Sequence, residues 1–130
     1  WEAGPKTYLG LGTAGFPNFF VIAGPGSPSV LANMVVGIEQ HVDWIFDCID
    51  YMKVNKLKTI EPSIEAENSW VDHNQDVAKD HVRSSCNSWY IGANIEGKAR
   101  IFMPYVGGFP EYVKKCNEVS KNNYEGFHLK

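Results

Sequence analysis

The sequence predicts a mixed α/β fold, and three observations carry that expectation. The continuously apolar run Phe19–Ala23 is short and lies between Pro17–Asn18 and Gly24–Pro25–Gly26. It reads as a buried strand, and its lack of alternation suits a parallel sheet covered on both faces. Leu31, Met34, Val35, Ile38, Val42, Ile45, Ile49 and Met52 then recur at spacings of three and four, as one apolar stripe of a long helix does. Two weaker helical patterns, near 62–82 and 109–120, alternate with short strand-like runs.

Taken in order, Tyr8–Gly15 is glycine-rich, and Gly10, Gly12 and Gly15 superficially fit a GxGxxG motif. Phe16–Pro17 follows where such a motif needs a helix to begin, and Pro17 biases Phe16 away from helical backbone. A turn between two short strands is expected instead. After the Phe19–Ala23 run, Gly24–Ser29 makes a rigid, helix-free turn. Ser29 is the expected N-cap of the long helix, and Lys53 suits the negative end of its dipole. Leu57–Ile60 reads as a short strand. Pro62 then sits where first-turn prolines sit. Ile64, Trp70, Val71, Val77, Ala78 and Val82 form the inward face of a second helix, and Glu61, Glu65, Glu67, Asp72, Asp76 and Asp80 its solvated face. Cys86–Arg100 fits neither period. An irregular segment of that length is usually functional, and Trp89, Tyr90 and Ile91 argue against disorder. Ile101–Tyr105 reads as a strand end and Gly107–Gly108 as a turn. A third helix from Phe109–Pro110 to about Ser120 places Tyr112, Val113, Cys116 and Val119 inward. Asn122–Asn123 stops it, and Tyr124–Phe127 is a candidate edge strand.

At 130 residues the chain has room for one modest core. A formal charge of -3 argues against a nucleic-acid footprint, and no apolar run approaches the ~20 residues of a membrane span. Trp1–Pro5 carries no signal-peptide pattern, and the chain is expected to begin within something larger. Cys48, Cys86 and Cys116 are widely spaced, as in reduced thiols of a cytoplasmic protein. His41, His73, His81 and His128 lack paired metal-ligand spacing, so no metal is expected.

A strand, a turn of small residues and a helix start form a common ligand position in α/β proteins, because the helix directs free N–H groups and a positive dipole end toward the turn. Beyond this the residues offer no nucleophile elbow and no paired catalytic carboxylates. Any chemistry is expected to come from a cofactor or from residues outside the sequence.

Two segments are more specific. Gly24-Pro-Gly-Ser-Pro-Ser-Val-Leu-Ala-Asn-Met34, continuing through Ile38-Glu-Gln-His-Val-Asp-Trp44, closely resembles the C-terminal region of type I Baeyer–Villiger monooxygenases of the cyclohexanone and phenylacetone monooxygenase group. Cys86–Arg100 with Ile101–Tyr105 is similar to that family's mobile loop and the strand after it. Phe16–Phe20 and Tyr124–Phe127 match as well, so the resemblance covers nearly the whole chain.

The resemblance implies a fragment that completes a Rossmann-like FAD-binding domain. Residues 1–53 would supply its last strands and a long helix, and 54–130 a C-terminal segment with the mobile lid loop 86–100. It further implies an FAD- and NADPH-dependent enzyme that inserts one oxygen atom of O2 into ketones to give esters or lactones. Met34 would lie against the flavin, with Asn33 shaping the adjoining turn, and Trp89 would bond the ribose of NADP. Pro28, Ser29, Val30 and Leu31 match the bulge that sets substrate size, and Phe102 a position near the substrate pocket. The dinucleotide glycine motifs, the histidine-containing fingerprint and the catalytic arginine of the family are not in this sequence. The implied partners are therefore the FAD and NADP domains that precede this region in the family, and no catalytic residue is assigned. Glu96 and Ala99 stand where the family commonly has prolines, which loosens the open loop. A stand-alone scaffold module and a sister flavin-dependent N-hydroxylating monooxygenase are the alternatives, the latter matching the loop poorly.

Overall fold

The computed structural model describes residues 4–28, 32–79 and 87–130. Helix α1 spans Met34–Val54, strand β1 Ile60–Pro62, helix α2 Ile64–Ala78, helix α3 Phe109–Lys121 and strand β2 Phe127–Leu129. The two strands pair antiparallel with Ile60 opposite Leu129 and Pro62 opposite Phe127. The described part is therefore mostly helical, with one small two-stranded sheet.

Several expected elements move. Phe19–Ala23 is not a buried strand: Asn18 and Ala23 take positive φ, which breaks the extended run at both ends, and Phe19 and Ile22 are exposed. Asn18 instead ties the run to β1, its N–H donating to the Ile60 carbonyl at 2.9 Å and its side-chain oxygen accepting from Ile60 N–H at 3.0 Å. The short strands begin three residues later than expected, at Ile60 and Phe127. Pro62 therefore lies in β1 rather than in the first turn of α2. That turn is capped by Ser63, whose hydroxyl accepts from Ala66 N–H at 3.1 Å.

One of the acidic side chains leaves the solvated face and a second bonds at its edge. Glu67 is buried and accepts from Ala14 N–H at 3.0 Å, and Glu61 accepts from Gly15 N–H at 2.6 Å. The charge-assisted bond to the Ala14 amide offsets the cost to the Glu67 carboxylate of leaving water. Ile64, expected inward, is exposed.

The apolar stripe of α1 divides. Its buried face is His41, Trp44, Cys48 and Met52, while Val35, Ile38, Val42, Phe46 and Ile49 are exposed. The helix is thus apolar over two adjoining arcs, and among the described residues only one meets the core. That core is aromatic: Trp44 meets Tyr124 edge-on at 5.1 Å, and its indole N–H donates to the Cys116 carbonyl of α3 at 3.0 Å. Helix α3 buries Tyr112 and Cys116, with Val113 and Val119 packed against the core as expected.

The glycine-rich segment folds as a tight turn in which Tyr8 bridges Gly12, and no helix follows Gly15. Gly10 has φ +72°, and a Cβ there would fall 2.6 Å from Ser27 Cβ and 2.9 Å from Ser27 N. Backbone strain and overpacking coincide, so Gly10→Ala is expected to destabilise the fold by about 1–3 kcal/mol in urea unfolding. An unchanged midpoint would show that the two turns separate freely.

Candidate functional site

The turn 24–28 is the centre of the site, and it is held almost wholly through its backbone. Thr7 Oγ1 donates to the Pro25 carbonyl at 2.5 Å. Trp70 Nε1, from α2, donates to the Gly26 carbonyl at 3.1 Å. Gly26 N–H donates to the Met103 carbonyl at 2.7 Å, and Tyr105 N–H donates to the Ser27 carbonyl at 2.9 Å. Ser27 Oγ closes the turn onto the Gly24 carbonyl at 2.7 Å. Residues 101–105 therefore bond laterally as the expected strand would, but the partner is a turn and the ladder ends after these bonds.

Gln75 extends that pattern with a side chain. Its amide nitrogen donates to the Phe102 carbonyl at 2.8 Å, and its amide oxygen accepts from Phe102 N–H at 3.1 Å. The carboxamide thus takes the place of one residue of an adjacent strand.

On the far side of the turn, Asn33 is the N-cap of α1. Its Oδ1 accepts from Val35 N–H at 3.0 Å and Val36 N–H at 3.5 Å. The cap is therefore four residues beyond the expected Ser29, because the Asn33 side chain is the one that reaches the first-turn amides. Met34 is the first helical residue and is partly exposed. No acidic side chain lies in that first turn.

The irregular loop is as expected over residues 87–100. A single 3-10 turn, Trp89–Ile91, ends at Gly92 with φ 72°, and Arg100 donates to the Asn87 side chain at 2.9 Å across the loop's base. Tyr90 packs on Trp89 with ring centroids 4.2 Å apart, and the Tyr90 carbonyl accepts from Met103 N–H at 2.8 Å. Trp89 itself is 52% exposed. Beneath it lies an apolar cavity of about 310 Å³ lined by Pro5, Pro25, Trp89, Ile95, Ile101 and Met103, among others.

No family model matches the chain. An acetone monooxygenase (methyl acetate-forming) of Gordonia sp. is 36% identical over 130 residues, 99% of this chain and 24% of the relative. Conversion of a ketone to an ester by a monooxygenase is oxygen insertion beside a carbonyl, and the likeness runs the length of the chain. The chain belongs to the type I Baeyer–Villiger monooxygenase family.

Solved structures agree with this Baeyer–Villiger assignment. An oxidized steroid monooxygenase bound to NADP is 49% identical with a TM-score of 0.92, covering 99% of this chain and 24% of that one. OTEMO, in complex with FAD and NADP, is 37% identical with a TM-score of 0.87, covering 100% and 25%. The chain thus spans about a quarter of the length of the relatives it matches.

Among the positions singled out for this Baeyer–Villiger chain, Pro28 is buried at the end of the turn and Asn33–Met34 open the helix after it. Ser29, Val30, Leu31 and Cys86 lie outside the described residues. Trp89 and Pro25 both line the loop cavity. Phe102 is buried and does not line that cavity; its neighbours Ile101 and Met103 do. Sequence reasoning did not assign Thr7, Trp70 or Gln75 to the site. Trp70 was placed only as a core residue, and its indole N–H was the available signal, since a buried indole needs an acceptor. No group of metal-ligating side chains occurs among the described residues, and no described helix is long and apolar enough to cross a membrane.

Proposed function

We propose that the chain is the C-terminal part of a cytoplasmic FAD- and NADPH-dependent monooxygenase that inserts one oxygen atom of O2 into ketones to give esters or lactones. The observation that carries the reading is the uncovered apolar arc of α1, formed by Val35, Ile38, Val42, Phe46 and Ile49. A helix apolar on two arcs serves two cores, and the described residues contain one of them. In this reading residues 1–53 complete a Rossmann-like FAD-binding domain, which covers the second arc. Residues 54–130 form the C-terminal segment, with 86–100 as its closing loop.

The start of α1 fits a flavin. Its positive dipole end is not offset by any first-turn carboxylate, and Asn33 caps it without adding charge. Asn33 and Met34 would hold the flavin and Trp89 the nicotinamide nucleotide. Pro28, Ser29, Val30, Leu31 and Phe102 would bound the ketone pocket. When bound, FAD and NADPH supply the oxygen activation and the reducing equivalents. The chain's own residues orient and exclude: the backbone-held turn fixes the helix start, and Trp89 with Ile95 offers an apolar surface that keeps water from the cavity beneath.

A chimera tests the reading. The Gordonia acetone monooxygenase, with its matching segment replaced by these 130 residues, is expected to retain FAD and to oxidise NADPH in response to acetone or cyclohexanone. A folded chimera without flavin, or with flavin but no ketone-dependent oxidation, overturns the proposal.

A further inference from the structure

Ala23, immediately before the site turn, takes φ 55°, a left-handed conformation that is strained for a residue with a Cβ. Its N–H donates to His41 Nδ1 at 3.0 Å. An amide can only donate, so Nδ1 carries the lone pair, and in the neutral ring the proton is on Nε2. Nε2 lies 2.7 Å from the Tyr112 hydroxyl, and that hydroxyl donates to the Leu9 carbonyl at 2.5 Å. Every direction in the series Ala23 N–H, imidazole, phenol, Leu9 carbonyl follows from the first bond. His41 is 1% exposed and Tyr112 0%, so water cannot substitute for either side chain.

The placement gives the series its consequence. Ala23 precedes the turn 24–28, and His41 stands on α1, two helical turns beyond Met34. The bond between them closes residues 24–40 into a loop, and that loop contains Pro28, Asn33 and Met34. Tyr112 anchors its neck to α3 and, through Leu9, to the turn at 8–12. None of these groups reaches the cavity beneath Trp89, so any effect on a reaction passes through the backbone they hold.

We infer that His41 and Tyr112 are positioning residues that fix the neck of the site loop and thereby the start of α1. The inference rests on the proposed function for its catalytic consequence, while its structural content stands independently. Both are tested in the full-length enzyme with FAD bound, using His41→Phe, Tyr112→Phe and His41→Asn. Asparagine keeps an acceptor near the place of Nδ1 but does not reach Tyr112.

Amide hydrogen exchange at Ala23 is expected to quicken at least tenfold in His41→Phe and to return most of the way in His41→Asn, with a smaller rise in Tyr112→Phe. With cyclohexanone as probe, kcat and the ester formed per NADPH should fall about tenfold in His41→Phe. KM for NADPH should stay within twofold, and the visible circular dichroism of the flavin should change. Unchanged exchange at Ala23 overturns the clamp, as does fast exchange that asparagine does not restore. Faster exchange with unaltered flavin dichroism and product yield overturns the positioning role. Absence of flavin or ketone oxidation in the wild type defeats the functional reading instead, and exchange at Ala23 then still decides the clamp.

Discussion

Trp70→Ala is expected to cost the fold about 3–5 kcal/mol, the range for removing a buried aromatic side chain. Trp70 is 5% exposed, stacks on Tyr105 with centroids 5.3 Å apart and planes 18° apart, and also meets Tyr112 at 6.2 Å. Truncation opens a cavity beneath the site turn and leaves the Gly26 carbonyl without its indole donor. Against a total stability of about 5–15 kcal/mol for an ordinary domain, that loss approaches unfolding. Trp70→Phe keeps most of the ring volume and should lose far less, with the missing hydrogen bond contributing about 1 kcal/mol. Urea midpoints that fall equally in the two variants would show that the bond to Gly26, rather than the packing, dominates.

Acidification from pH 6.5 to pH 4 is expected to remove about 3 kcal/mol of stability through His41 alone. Burial lowers its pKa from 6.5 to about 4. The unfolded chain takes up a proton below pH 6.5, and the fold does not until near pH 4. Stability is therefore complete above pH 6.5 and declines as the pH falls through that window. Protonation would also set an N–H on Nδ1 against the Ala23 N–H, so the clamp and the neutral ring are one requirement. Carboxylates titrate in part of the same range, and comparison with His41→Asn isolates the imidazole. The variant should be less stable at pH 7 yet lose about 3 kcal/mol less between pH 7 and pH 4. Parallel pH profiles would rule the mechanism out.

The helices were legible because their signals are local. Met34–Val54 follows from apolar spacing, and Phe109–Lys121 from a proline at its start and Asn122–Asn123 at its end. The loop around Trp89 was legible because it fits neither period. Phe19–Ala23 misled because five apolar residues in a row announce burial without saying against what, and the positive φ at Asn18 and Ala23 has no mark in the pattern. The α1 stripe misled in a related way, since periodicity shows which residues avoid water and not which neighbour covers them. Glu67 and Gln75 were read or passed over as surface. Their partners are backbone amides and a carbonyl 27 or more residues away, and no spacing rule connects such groups. Nothing in the helix pattern singles out His41. Its two bonds cross to Ala23 and Tyr112, 18 and 71 residues distant.

The bonds that fix the turn at 24–28 bear on how such a site can diversify. Thr7, Trp70, Met103 and Tyr105 all grip it by carbonyls and amides, atoms that most substitutions leave in place. Selection can therefore exchange the side chains of the turn itself while its course is inherited unchanged. Innovation is cheap there and expensive at Gly10, where the backbone of one turn lies against the other.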